Sequence, residues 1–219
     1  YTTEIAMDDL EDVRKWLGYG KINLWGLSYG TRAAQVYMRS YPQSVRSVVM
    51  SGALPIDHRM PSRHAPDGQR ALDLLLDTCL SDSSCRSAFP YIKLEMRRLI
   101  VTLRKSPVKV SYHHPRLQGE HNLAITADIF AEFIRKRLYS PSSSRDVPFI
   151  IHRAFLGDFK PFLNAAIPED GEIRTGSSDG LYLSITCAED VPFIDSLRLP
   201  RQSVSTIFGN YRVFQQTRA

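Results

Sequence analysis

Apolar positions recur at helical spacing over residues 3–17, where Ala6, Leu10, Val13 and Leu17 share one face. Acidic Asp8, Asp9, Glu11 and Asp12 precede basic Arg14 and Lys15, an order that complements the helix dipole. Gly18 and Gly20 then stop the helix. A short β-like run follows over Lys21–Trp25, and after it comes Gly26-Leu27-Ser28-Tyr29-Gly30. A second helix is predicted from about Thr31 to Ser40, ending ahead of Pro42 because the residue before a proline is pushed out of the helical region. Val45–Met50 reads as a buried strand that closes at Gly52. Helix, strand, tight turn, helix, strand predicts an α/β arrangement, a parallel sheet with crossover helices, over residues 1–55.

After Pro55 the pattern changes. The stretch from His58 to Gly68 is rich in Pro, Arg and His and reads as a connecting segment. Helical periodicity returns over Gln69–Leu80, Ile92–Lys105 and Ala127–Tyr139. Between the last two, residues 108–112 and 123–126 alternate as a small hairpin does. Residues 148–166 are predicted helical with a break at Pro161, and 169–180 as a polar, Gly-rich loop. Residues 181–195 are predicted helical, and Val204, Ile207, Phe208, Tyr211 and Phe214 mark a last amphipathic helix. Residues 56–219 are therefore expected to form a mostly helical cap, inserted after a sheet strand and lying over an active site.

Composition narrows the function classes only slightly. The net charge of +5 is spread along the chain, and its densest cluster, Arg135-Lys136-Arg137, fits a solvated helix face. Without a basic stripe interleaved with aromatics, nucleic acid is not an expected partner. No apolar run approaches the length of a membrane span. The chain begins at Tyr1 rather than Met and ends at Ala219 within an amphipathic pattern, so it is expected to be a piece of a longer protein. Cys79 and Cys85 flank a Ser/Asp-rich turn that can bring them together. A disulfide, with the oxidising compartment it implies, is the favoured reading, and buried free thiols are the alternative.

The chemistry concentrates at Gly26-x-Ser28-x-Gly30, which fits a nucleophile elbow. A chain turning sharply from strand to helix forces the serine into a strained conformation, and small residues on either side let the backbone pack closely. The hydroxyl then projects at the N-terminus of the following helix, where free amides favour a developing negative charge. The setting fits: a β-like run precedes the motif, and a helix carrying small Ala33 and Ala34 follows it. Ser28 is the candidate nucleophile, and the backbone N–H of Tyr29 the candidate oxyanion donor. A Gly-rich turn with an incidental serine is the alternative. The base and its carboxylate should follow the serine in the order Asp, His. His58, His64, His113, His114, His121 and His152 each fit surface or packing roles better, so both partners are expected beyond Ala219. His113 and His114 lack further ligands at metal-binding spacing, and neither a metal nor another cofactor is expected.

The stretch from Asp9 to Pro55 resembles the tripeptidyl-aminopeptidase-like and proline-iminopeptidase group of α/β-hydrolases. The resemblance rests on Leu17-Gly18-Tyr19, Lys21-Ile22-Asn23-Leu24, Gly26-x-Ser28-Tyr29-Gly30-Thr31-Arg32, Tyr41-Pro42 and Val45-Arg46-Ser47-Val48-Val49. A later patch, Ile185-Thr186-Cys187-Ala188-Glu189-Asp190, looks like a motif of the cap in these secreted peptidases, and Cys79, Cys85 and Phe89-Pro90 fit the group too. The resemblance implies a partial α/β-hydrolase fold with a cap, and a secreted or periplasmic serine exopeptidase acting on peptides with a free N-terminus. It also implies that Ser28 is the nucleophile and that Cys187 pairs with a cysteine outside this chain. An exopeptidase must recognise a protonated amine, which a buried carboxylate can do by charge-assisted hydrogen bonding. Glu189 and Asp190 are the candidates, with helix capping or pairing with an arginine of the cap as the alternative. A carboxylesterase or lipase with the same elbow, and a non-catalytic relative that binds partners through its cap, are the competing readings.

Overall fold

In the computed structural model, Thr2 opens the first helix. It lies in extended conformation and its hydroxyl accepts from the Ile5 N–H, so that α1 runs over Thr3–Trp16. The structure describes residues 1–113, 119–167, 178–195 and 206–209. Strand β1 (Ile22–Leu27) follows, then helix α2 (Tyr29–Ser40) and strand β2 (Val45–Ser51). The two strands pair in parallel with Leu24 opposite Val48 and Gly26 opposite Met50, and α2 is the crossover. Strand and helix both reach closer to Ser28 than their periodicity predicts, because a single residue makes the whole turn between them. The sheet's side chains include exposed Trp25, Leu27, Val49 and Met50.

A buried polar cluster fastens α1 to α2. The Glu11 carboxylate takes paired hydrogen bonds from Arg14 at 2.7 and 2.8 Å, one from the Tyr37 hydroxyl at 2.7 Å and one from Ser44 at 3.3 Å. Arg14 also donates to the carbonyls of Tyr19 and Gly20, which ties the helix end to the turn before β1. The Arg14 hydrogen bonds, helped by Tyr37 and opposed by burial, pull the Glu11 carboxyl down from 4.5 to about 2. A carboxyl whose folded pKa lies below its unfolded value stabilises the fold fully above the unfolded pKa. That contribution is lost as the pH falls from about 4.5 towards 2. We expect Glu11→Gln to be less stable than wild type at neutral pH, by about 3 kcal/mol for a broken buried pair. In urea titrations the gap between the two proteins should narrow steadily below pH 4.5, and a gap independent of pH would contradict the assignment.

The contacts divide the chain into two units, residues 1–61 with 178–194, and most of the rest. Residues 178–194 thus group with the unit that contains the sheet, whereas their helical pattern groups them with the cap. Helix α3 (His64–Ser81) opens the second unit, followed by α4 (Ser83–Ala88), α5 (Ile92–Lys105), and strands β3 (Val108–His113) and β4 (Glu120–Ile125). Then come α6 (Ala127–Arg137), the short α7 (Pro141–Ser144), α8 (Val147–Phe155) and α9 (Lys160–Ala166). Strands β3 and β4 form the antiparallel hairpin, and the core is built from Leu72, Met96, Leu103, Phe130, Ile151 and Phe162 among others. Cys79 and Cys85 are joined by a disulfide.

Two local expectations are corrected here. Helix α3 starts at His64, inside the expected connecting segment, since Pro66 falls in the first turn where its missing N–H costs nothing. The break between α8 and α9 lies at Gly157, whose φ of 87° a side chain would resist, while Pro161 sits in the first turn of α9. In the expected last helix, Ile207 and Phe208 lie in a bend, while Val204, Tyr211 and Phe214 lie outside the described residues. So does most of the expected loop over 169–180, although α10 (Asp179–Ile185) takes up its end. No described helix is long and apolar enough to cross a membrane.

Candidate active site

The end of β1 sets the site geometry. A side chain at Gly26 would place its Cβ against the Gly30 carbonyl oxygen, 2.6 Å from the carbonyl carbon and 3.0 Å from the Thr31 nitrogen. Those distances allow only hydrogen there, so β1 and the start of α2 approach each other backbone to backbone. At Gly30, by contrast, a Cβ would meet open space. The second glycine of the motif contributes its own backbone to the contact rather than room for a neighbour.

Between them Ser28 has φ 53° and ψ −118°, and it is the one non-glycine residue with positive φ among those described. Such a conformation costs about 1–3 kcal/mol and persists only where its surroundings hold it. Here the Ser28 N–H donates to the Ser51 carbonyl at 3.0 Å, and the Ser28 carbonyl accepts from the Thr31 N–H at 2.9 Å and the Thr31 hydroxyl at 2.7 Å. The Ser28 side chain makes no capping bond to the helix, so its oxygen stands at the N-terminus of α2 uncommitted to it. Tyr29 is the first residue of α2, where a helix leaves its N–H groups without intrahelical acceptors. Its phenol meets Thr3 Oγ1 at 3.0 Å, and burial holds its pKa above the usual value.

Ser28 borders a cavity of about 390 Å³ whose walls include Leu54, Met60, Leu181, Tyr182 and Ile185, with Arg32 and Asp190 contributing charge. The two carboxylates expected to receive an amine are both engaged. Asp190, 1% exposed, receives two hydrogen bonds from the Arg32 guanidinium, at 2.8 and 3.0 Å. Glu189 accepts from the N–H and hydroxyl of Thr3 and lies 3.7 Å from Arg32. Arginine pairing describes Asp190 and helix capping describes Glu189, but the arginine belongs to the elbow helix rather than to the cap. Residues 186–190 form a π-turn, and the two neighbouring carboxylates meet different helices, Glu189 at the start of α1 and Asp190 on α2. Asp190 keeps Arg32 strongly protonated. Arg59 donates to the Glu189 backbone carbonyl and stacks over the Phe193 ring at 4.9 Å.

No histidine lines this cavity among the described residues. His58, the one histidine described in this unit, is met through its backbone carbonyl, which accepts from Arg32 at 2.8 Å. In the other unit, His152 pairs with the buried Glu95 at 2.9 Å and packs against the edge of Phe89. Cys187 is a free, exposed thiol. Thr31 is the residue that the motif pattern does not flag. It is wholly buried, and a threonine in the first turn of a helix was the available signal.

Comparison with known proteins agrees with this geometry. Residues 1–78 match the family described as the alpha/beta hydrolase fold. The chain is 28% identical over 110 residues to "Putative hydrolase YuaR" of Escherichia coli K12, covering 47% of this chain and 22% of that protein. It is 33% identical over 89 residues to "Serine protease Hip1" of Mycobacterium tuberculosis H37Rv, covering 38% of this chain and 16% of that protein. Hip1 of Mycobacterium bovis gives the same figures. The chain thus spans less than a quarter of the length of these curated relatives. With a lone serine turning a parallel strand into its crossover helix, residues 1–78 are similar in sequence and local geometry to the family described as the alpha/beta hydrolase fold.

Proposed function

We propose that the protein is a serine hydrolase that forms an acyl-enzyme on Ser28, and that it is an exopeptidase releasing residues from peptide N-termini. The observation that carries the first part is the strained Ser28, with its hydroxyl at a helix N-terminus beside a cavity. Ser28 Oγ attacks the scissile carbonyl and the Tyr29 N–H receives the oxyanion. The amine then leaves with a proton, and water releases the acyl group. A base must take the serine proton, and a carboxylate must orient that base. Both are proposed to come from parts of the natural protein other than the described residues around this cavity.

The peptide reading is supported by the likeness to a protein named as a serine protease and by the charge at Arg32. Two carboxylates, Glu189 and Asp190, converge on that one guanidinium, at 3.7 and 2.8 Å. Beyond its pairing with Arg32, the acidic pair would favour a protonated amine over a neutral group. The disulfide supports an oxidising, extracytoplasmic location, and the second unit is proposed to serve as the cap. An esterase is the second reading, favoured by the apolar walls of the cavity.

The test uses the full-length natural protein that carries this sequence. Aminoacyl and peptidyl amides with a free N-terminus are compared with their N-acetylated forms and with short-chain esters. Acetylation should lower kcat/KM by about 100-fold, the scale of a lost charge-assisted hydrogen bond in a closed site. Equal rates on free and acetylated amides, with faster turnover of esters, would replace the exopeptidase by the esterase.

A further inference from the structure

Leu54 lies just after β2 on the wall of the Ser28 cavity, and α2 grips its backbone at both ends. Its N–H donates to Thr31 Oγ1 at 3.4 Å, and its carbonyl accepts from the Gln35 amide nitrogen at 2.7 Å. The same nitrogen donates to the Thr31 carbonyl at 3.0 Å. Because both of its neighbours are carbonyl oxygens, the donor end of the Gln35 amide must face them. Thr31 in turn gives its hydroxyl proton to the Ser28 carbonyl at 2.7 Å. One buried hydroxyl is therefore donor to the elbow and acceptor from the loop. A helical threonine commonly spends that proton within its own turn, and here the remaining lone pair reaches a different segment.

We propose that Thr31 and Gln35 are positioning residues that fix Leu54 as a wall of the cavity, and thereby set the size of acyl side chain that Ser28 can reach. The proposal rests on Ser28 as nucleophile, and its two parts separate experimentally. The loop has no regular secondary structure of its own, so its backbone direction depends on these bonds. That direction decides how far the Leu54 side chain projects into the cavity.

Thr31→Val, Thr31→Ser and Gln35→Met are made in the full-length natural protein. Amide hydrogen exchange at Leu54 is measured alongside the ratio of kcat/KM for substrates with large and small acyl side chains. Thr31→Val should speed Leu54 exchange and shift the ratio, each by about 5- to 10-fold, the weight of one net hydrogen bond. Thr31→Ser should keep both near wild type because it keeps the hydroxyl. Gln35→Met should shift both in the same direction, and it carries the test if Thr31→Val does not fold. Leu54 exchange at the wild-type rate in Thr31→Val or Gln35→Met would overturn the clamp. Faster exchange with an unchanged ratio would overturn the specificity role. Failure of the Ser28 reading shows differently, as turnover that survives loss of Ser28 while Leu54 exchange still responds to Thr31.

Discussion

Replacing Ser28 with alanine is expected to lower kcat by about five to six orders of magnitude, the scale seen when the nucleophile of a serine hydrolase is removed. Without Oγ no acyl-enzyme forms, and what remains is the rate that binding and the Tyr29 N–H provide. Stability should change little, within about 0.5 kcal/mol. Alanine keeps the Cβ, so the strain at φ 53° is the same, and the serine side chain caps nothing on α2 that would be lost. Pre-steady-state kinetics on an activated ester should show the burst of product in wild type and none in the variant. A variant that keeps more than about one part in a thousand of the wild-type kcat would point to a different nucleophile.

The second large effect falls on stability. Gly26→Ala must find space where the Cβ would lie 2.6 Å from the Gly30 carbonyl carbon. That neighbour is backbone at the start of a helix, not the end of a side chain that can swing away. Forcing β1 and α2 apart should cost about 3 kcal/mol or more, at the upper end of overpacking penalties. It should also displace Ser28 from its bond to the Ser51 carbonyl. Gly30→Ala is the control. Its Cβ meets open space and alanine suits a helix, so the change should stay within about 1 kcal/mol of wild type. Urea unfolding of the two variants side by side measures the difference, and equal midpoints would mean that the elbow tolerates a wider turn.

The strand–turn–helix geometry behind both predictions was legible in the sequence because it is a local device. A strand, a turn of one residue and a helix leave their signature in consecutive positions, so Gly26, Ser28 and Tyr29 could be named in advance. The helices of the second unit were legible for the same reason, since Ile92–Lys105 carries its apolar face at strict helical spacing. What periodicity could not reveal were bonds between distant residues. The pairing of Arg32 with Asp190 spans 158 positions, and that of Thr3 with Glu189 spans 186. Neither leaves a trace in local pattern, yet together they move residues 178–194 from the expected cap to the unit that holds the sheet. The same two bonds changed the reading of the acidic pair, from free receptors of an amine to groups already engaged at two helices. The two bonds of the Thr31 hydroxyl left no signal, because a buried hydroxyl in the first turn of a helix looks, in sequence, like any other helix-start threonine.

The most direct measurement is covalent. The full-length natural protein is treated with a fluorophosphonate, which phosphonylates an activated serine with loss of fluoride, and the modified peptide is mapped by mass spectrometry. A single adduct on Ser28, with activity lost in proportion to its formation and no adduct in Ser28→Ala, is the predicted result. An adduct on another serine that accounts for the lost activity, or turnover that continues after Ser28 is fully modified, would contradict the assignment of Ser28 as the nucleophile.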